Sequence, residues 1–376
     1  SKRPSLSVRF TGELQPDFSG EYDFEIFSIG PSRLSINGET QIDNWTSQDP
    51  GDAFFGMGSA PKRKTISFEE GKTYLLEVEY KWEGRFPAVQ IGMQAPDQFD
   101  LMEEAKSIAK EADAVILIVG TNSDWETEGN DRSNLDLPSN QDELIEEVCK
   151  LNKNTVVVLN TGSPCLMPWV EEAGSILQCW FPGQEFGNSL SDIIFGKINP
   201  SGKLPTTFPK SIEDTPAYAT YPGKDLQMDY EEGLYIGYRW YDKEEIDPLF
   251  PFGHGLSYTS FDYSNLRAIP PKGNASVAAF EFEISNTGDV AGKEVIQGYV
   301  NVPDSKIDRP RKELKKFTKV YLEPGQTQKV KFELSERELS FWNVDLHAWQ
   351  VEPAEYIFEI GASADDIRGS ASVWLG

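Results

Sequence analysis

Three short runs dictate what the middle of this chain becomes: the wholly apolar A-V-I-L-I-V-G (114–120), and T-V-V-V-L-N (155–160) and S-I-L-Q-C-W-F (175–181), which read as further buried strands. A strand without polar alternation needs cover on both faces, the condition of a parallel sheet layered by helices. Helical patterns accompany the runs. D-L-M-E-E-A-K-S-I-A-K-E-A-D (100–113) aligns Leu101, Ala105, Ile108 and Ala112 on one stripe. Ser139 opens a second helix, with Leu144, Val148 and Leu151 inward and Lys150 and Lys153 at its negative end. W-V-E-E-A and F-G-N-S-L-S-D-I-I-F-G follow the other two runs. Strand, loop and helix repeated three times predict a parallel α/β sheet, with ligands at the loops leaving the strand carboxyl ends.

The flanks have a different period. Up to about Pro96 apolar residues alternate, with Tyr22, Phe24 and Ile26 on one face and Asn37-Gly38 where a tight hairpin needs positive φ. Alternation returns after Phe261 in A-F-E-F-E-I-S (279–285), K-V-K-F-E-L (329–334) and Y-I-F-E-I-G (356–361), separated by turn signals at Asn286–Gly288 and Pro324-Gly325. The expected architecture is therefore a parallel-sheet α/β sandwich (98–262) flanked by two β-sandwiches (1–97 and 263–376), the first of them incomplete. The chain enters a strand almost at once after Ser1, which reads as a processed chain or a piece of a larger protein.

With 35 basic against 61 acidic residues the net charge is −26, which disfavours nucleic acid and anionic membranes as partners. Hydrophobic residues at 39% are too many for a disordered acidic protein. Two histidines and three cysteines without CxxC spacing give no metal site, no Ser-His relay and no disulfide framework, and no cofactor is implied. The charge is unevenly spread. Residues 98–262 hold −18 of it, and nine carboxylates within 124–147 face only Arg132.

Most of that density lies in T-N-S-D-W-E-T-E-G-N-D-R-S-N-L-D-L-P (121–138), far longer than the roughly two to six residues that usually join a strand to a helix. A carboxyl crowded by others holds its proton to higher pH, which suits a general acid. The bland alternative is a solvated acidic loop.

The string W-E-T-E-G-N-D-R-S-N-L-D-L-P resembles the acid/base loop of glycoside hydrolase family 3, and Q-D-E-L-I (141–145), N-T-V-V-V-L-N-T-G-S-P (154–164), W-F-P-G-Q-E-F-G-N-S-L (180–190), N-P-S-G-K-L-P-T-T-F-P (199–209), Y-E-E-G-L-Y-I-G-Y-R-W-Y (230–241) and P-L-F-P-F-G-H-G-L-S-Y-T-S-F (248–261) are similar to that family in the same order. The tail resembles a fibronectin type III-like domain and the first 95 residues a protective-antigen-type insert. The resemblance implies the carboxyl-terminal part of a retaining, exo-acting β-glucosidase, acting on a β-glucoside or oligosaccharide. It further implies a nucleophilic aspartate on an amino-terminal (β/α)8 barrel absent from this chain, held as a second polypeptide. Asp124-Trp125 after Ser123 matches the nucleophile's S-D-W context in letters only.

By the same resemblance Glu128, immediately before Gly129-Asn130-Asp131-Arg132, is the general acid/base, with Glu126 the competitor. Arg132 would anchor the loop by pairing with Asp131. Phe54 and Phe55, in D-A-F-F-G-M-G (52–58), would line the aglycone side. A β-xylosidase of the same family, or a non-catalytic carbohydrate-binding or scaffold protein, are the other readings, and a homo-oligomer is compatible with all. Asn44-Trp45-Thr46 and Asn274-Ala275-Ser276 are glycan acceptor sequences if the protein is extracellular; the acidity and these sequences favour that compartment, whereas three cysteines without an obvious pair point to the cytoplasm. K-E-L-K-K-F-T-K (312–319) reads as a solvated basic face, and His254 as a packed turn residue.

Overall fold

The computed structural model describes residues 5–84, 86–96, 100–129, 131–271 and 277–376, in two compact units, 1–104 and 105–376. The first unit is built from β1 (Ser5–Leu14), β2 (Gly20–Ile29), β3 (Ser32–Ile36), β4 (Glu39–Asn44), β5 (Lys62–Phe68), β6 (Tyr74–Glu83) and β7 (Ala88–Gln94). They form two antiparallel sheets, β1-β6-β3-β4 and β5-β2-β7. Alternation along β2 buries Tyr22, Phe24 and Ile26 against Leu34, Ile42, Phe68 and Val78. Asn37 and Gly38 close the β3–β4 hairpin with φ of 51° and 81°, the left-handed values such a turn demands.

Asn44 does not behave as its sequon suggests. Its side chain is fully buried and donates to Ser28, Ser32 and Ser59 hydroxyls at 3.0–3.2 Å, so no glycan can be attached there in the folded state. The sequon at 274–276 lies outside the described residues.

In the second unit β8 (Val115–Gly120), β9 (Thr155–Asn160) and β10 (Ser175–Gln178) pair in parallel, in the order β10-β9-β8. Val119, Val157 and Leu159 face a core with Ile145 and Cys149 of α3 (Gln141–Leu151) and with Met167, Trp169 and Phe208. Four local expectations fail here. The helix begins after Asn140 rather than at Ser139, because Ser139 takes a left-handed φ of 56°. Its buried stripe is Ile145, Val148 and Cys149, while Leu151 is exposed. Trp169–Ala173 is a turn, not a helix. The fourth concerns cover: Ile116 and Ile118 of β8 are 47% and 53% exposed, and α2 (Leu101–Glu111) buries Ala109 while Leu101 and Ile108 face water. The apolar strand is thus covered on one face only.

The remaining helices of this region are α4 (Phe186–Ile194) and α5 (Tyr238–Glu244). The terminal sandwich sets β11 (Phe261–Ile269), β12 (Ala278–Asn286) and β15 (Thr327–Leu334) against β13 (Gly292–Asn301), β14 (Glu313–Leu322), β18 (Ala354–Gly361) and β19 (Ile367–Leu375). Phe280 and Phe358 stack at 4.3 Å in its centre. It shares one unit with the α/β region through buried ion pairs. Lys203 meets Glu294 at 3.2 Å, and Lys312 meets Asp242 of α5 at 2.7 Å. Lys312, expected on a solvated face, is almost fully buried. His254 stacks on Phe250 in the same junction, and burial followed by the Lys203 charge holds its pKa below the usual value.

Candidate active site

The long acidic loop leaves the carboxyl end of β8, and its root is held by backbone approach. A Cβ on Gly120 would lie 2.1 Å from the Asn160 carbonyl, so only glycine allows β8 and β9 to meet there. Thr121 N–H donates to that carbonyl at 3.1 Å. On the opposite side of β8 the Gln141 side-chain amide clamps Gly120, accepting its N–H at 2.7 Å and donating to its carbonyl at 2.9 Å. Strand end, loop and α3 are thereby locked together.

A single residue, Thr127, separates the candidate glutamates, and they live in different surroundings. Glu126 is drawn in. Its Oε1 accepts from Thr121 Oγ1 at 2.7 Å and from the Gly162 N–H at 3.1 Å, and Arg132 Nη1 stands 3.8 Å away. Gly162 is required for this, since a Cβ there would sit 2.3 Å from Glu126 Oε2 and 2.6 Å from the Phe181 ring. Glu128 is exposed and makes no hydrogen bond or ion pair among the described residues. Gly129 follows it with φ of 83° and turns the chain.

Arg132 does not pair with Asp131. Its guanidinium instead donates to Ser163 Oγ at 2.9 Å and to the Asp136 carbonyl at 3.1 Å while facing Glu126. Adjacent residues in an extended loop point apart, which leaves Asp131 to accept from the Tyr221 hydroxyl; that bond holds the phenol's pKa above its ordinary value. Asn130 lies outside the described residues. Sequence reasoning missed the roles of Thr121, Gly162, Ser163 and Tyr221, although T-G-S-P (161–164) leaves β9 at the same sheet end and contains Gly162 and Ser163.

Beneath the loop Asp142 accepts from Trp169 Nε1 at 2.7 Å, and burial raises its pKa despite that bond. The buried Cys165 thiol is pushed up to about 12, chiefly by burial, so it stays protonated at neutral pH. Trp125 Nε1, Arg132 Nε, Asn160 Oδ1 and Gln178 Oε1 are buried without a partner among the described residues, all on the loop or on strand-end residues. Such atoms are rare in finished structures and mark places where water or a ligand completes the bonding.

Phe54 and Phe55 belong to the first unit. They form α1 (Ala53–Gly56), a single turn in which both adopt left-handed angles, φ 54° and 61°. Two consecutive strained residues cost on the order of 1–3 kcal/mol each. A clasp between Gly51 N–H and the Gly58 carbonyl, at 3.0 Å, holds them. The turn splits the pair: Phe54 packs on Phe27 at 5.5 Å, whereas Phe55 is 87% exposed.

Comparison with known proteins joins these observations. The model of the glycosyl hydrolase family 3 C-terminal domain matches residues 41–258, and that of the fibronectin type III-like domain matches 294–364. A beta-glucosidase of Rhizobium radiobacter is 37% identical over 380 residues, covering 98% of this chain and 46% of the relative. A beta-glucosidase of Kluyveromyces marxianus is 38% identical, with 97% and 44% covered. The solved structure of the Kluyveromyces marxianus enzyme in complex with glucose superimposes with a TM-score of 0.87 at 36% identity, over 99% of this chain and 45% of that one. DesR, a beta-glucosidase from Streptomyces venezuelae in complex with D-glucose, gives 0.74 at 32%, over 100% and 47%. The chain spans slightly less than half the length of the curated relatives it matches. It belongs to glycoside hydrolase family 3, of which it carries the C-terminal domain and the fibronectin type III-like domain.

Proposed function

We propose that this chain is the acid/base-bearing portion of a retaining, exo-acting β-glucosidase, with Glu128 as the general acid/base. The observation that carries the reading is the contrast within one loop. Glu126 is committed to Thr121, Gly162 and Arg132, whereas Glu128 is free to reach a glycosidic oxygen. Glu128 would protonate the leaving oxygen and then draw a proton from water attacking the glycosyl-enzyme. For Glu126 to serve instead, three contacts would first have to break.

Retention requires a second carboxyl about 5–5.5 Å from the acid. We assign it to an aspartate on a (β/α)8 barrel outside this chain, either in the same polypeptide or as a second chain. The half-covered strand β8 supports a partner that covers it, and the exposed Tyr230, Leu234 and Ile236 add further uncovered apolar surface to the same unit. A barrel closing over the loop would also remove water and add a negative charge, the two influences that keep a carboxylic acid protonated near neutral pH. In the first unit, the exposed, strained Phe55 is the residue we propose for the aglycone, and Phe54 its support.

The test is kinetic, on enzyme complete with its barrel. Glu128→Gln should lose about 10²–10⁴-fold with poor leaving groups and far less with activated aryl glucosides, and azide should rescue Glu128→Gly. If Glu126 variants show this signature and Glu128 variants do not, the assignment is wrong.

A further inference from the structure

We infer that a ribbon on the terminal sandwich is a non-catalytic saccharide-binding platform. Its strands, β16 (Phe341–Asn343) and β17 (Ala348–Gln350), pair only with each other. Both ends are anchored: Leu339, in the capped turn α6 (Glu336–Leu339), is buried in the sandwich core, and Val351 packs against it. Between them Trp342 lies directly opposite Trp349, with ring centroids 5.3 Å apart and planes at 63°. The Arg337 guanidinium covers Trp349 at 3.1 Å from its centroid. At the tip, Asn343 Oδ1 accepts from the Asp345 and Leu346 N–H groups at 3.0 Å, and Asn343 Nδ2 donates to Gln350 at 2.8 Å.

A cross-strand aromatic pair with a stacked arginine stabilises a ribbon by itself. That role does not account for the surface left open. Each tryptophan remains 45% exposed after these contacts, and Val344 and Leu346 extend the apolar surface. A lone two-stranded ribbon is marginal in water, so apolar area withheld from its own packing is available to a ligand.

The chemistry of the patch selects the ligand. Residues 263–376 carry a net charge of only −3 within a chain of −26, which disfavours polyanions and anionic lipid. Ten residues cannot offer the roughly 800 Å² per partner of an ordinary protein interface. A slender, neutral, amphipathic chain fits: sugar C–H faces on the indoles, and hydroxyls toward Arg337, Asp345 and Gln350. Choosing a β-glucan among saccharides rests on the β-glucosidase reading, whereas the platform itself does not.

Two measurements on the full chain test this. With cellohexaose or laminarihexaose at about ten times its Kd, N-bromosuccinimide oxidation of Trp342 and Trp349, read by peptide mass spectrometry, should slow about tenfold. Trp374, exposed on β19, should be unaffected. In native gels containing laminarin or a soluble cellulose ether, the chain should be retarded, Trp342→Ala should run free, and Trp342→Tyr should keep the retardation. Absence of protection, equal protection of Trp374, or retardation surviving Trp342→Ala overturns the proposal. Concentration-dependent self-association abolished by Trp342→Ala, with no sugar protection, would replace the saccharide by a second copy. Glu128→Gln should leave both readouts unchanged, which separates this platform from the catalytic assignment.

Discussion

The terminal sandwich and the α/β region are similar in scale, yet one closes on itself and the other does not. In the sandwich Phe280, Phe332 and Phe358 interlock, and almost every inward residue of β12, β13 and β18 is buried. In the α/β region β8 is half uncovered, α2 turns its apolar stripe to water, and four buried polar atoms on the loop and strand ends lack partners among the described residues. Local rules that hold through the core of one region and fail in the layering of another of the same chain tend to locate function. Here four of the unpartnered polar atoms lie on the acidic loop or on the strand-end residues beside it.

The widest gap should appear in stability. Phe358→Ala, which empties the sandwich centre, is expected to cost about 3–5 kcal/mol in denaturant unfolding, while Ile118→Ala on the open face of β8 should cost under about 1 kcal/mol. Equal losses would show that β8 is covered and the contrast is false. Next is the junction. Lys312→Ala leaves Asp242 buried without its cation and should cost about 3 kcal/mol, whereas Lys312→Met with Asp242→Leu should recover much of that. Failure of the double variant to recover would mean that the pair has a role beyond satisfying its own charges.

Within the loop the effects shrink. Glu126→Gln and Gly162→Ala should each destabilise by about 1–2 kcal/mol, and together by less than their sum, because both disturb one contact. Additive losses would separate the two residues. The smallest change belongs to Asp43 in the first unit. The Thr46 hydroxyl, then the Thr46 and Trp45 N–H groups, hold its carboxyl at about 2. A depressed carboxyl stabilises above its unfolded value near 3.9 and loses that contribution as pH falls toward 2. Asp43→Ala should therefore be slightly less stable at neutral pH and lose less between pH 4 and 2, as followed by circular dichroism.

The alternating strands and the three apolar runs were readable because period alone sets which face a side chain takes. The loop's importance was readable from its length and its carboxylates. What stayed hidden depends on distant residues. Asn44 looks like an acceptor site until Ser28, Ser32 and Ser59 surround it, and Lys312 looks solvated until Asp242, 70 residues away, meets it. Arg132 bypasses its neighbour Asp131 for Ser163 and Glu126, a choice made by the fold of the loop rather than by spacing. The helical stripe of α2 was legible too, but pattern cannot say whether a face finds cover within the chain.

The Gln141 clamp on Gly120 has a consequence for assembly. In β8 the amides of alternate residues point away from β9, and such an unprotected edge invites another strand. By taking both the donor and the acceptor of Gly120, the glutamine amide acts as a doorstop at the last rung of that edge. A strand added to β8 can pair along Ile116 and Ile118 but must stop before the loop, so the sheet can grow sideways without its new neighbour colliding with the segment that bears Glu128.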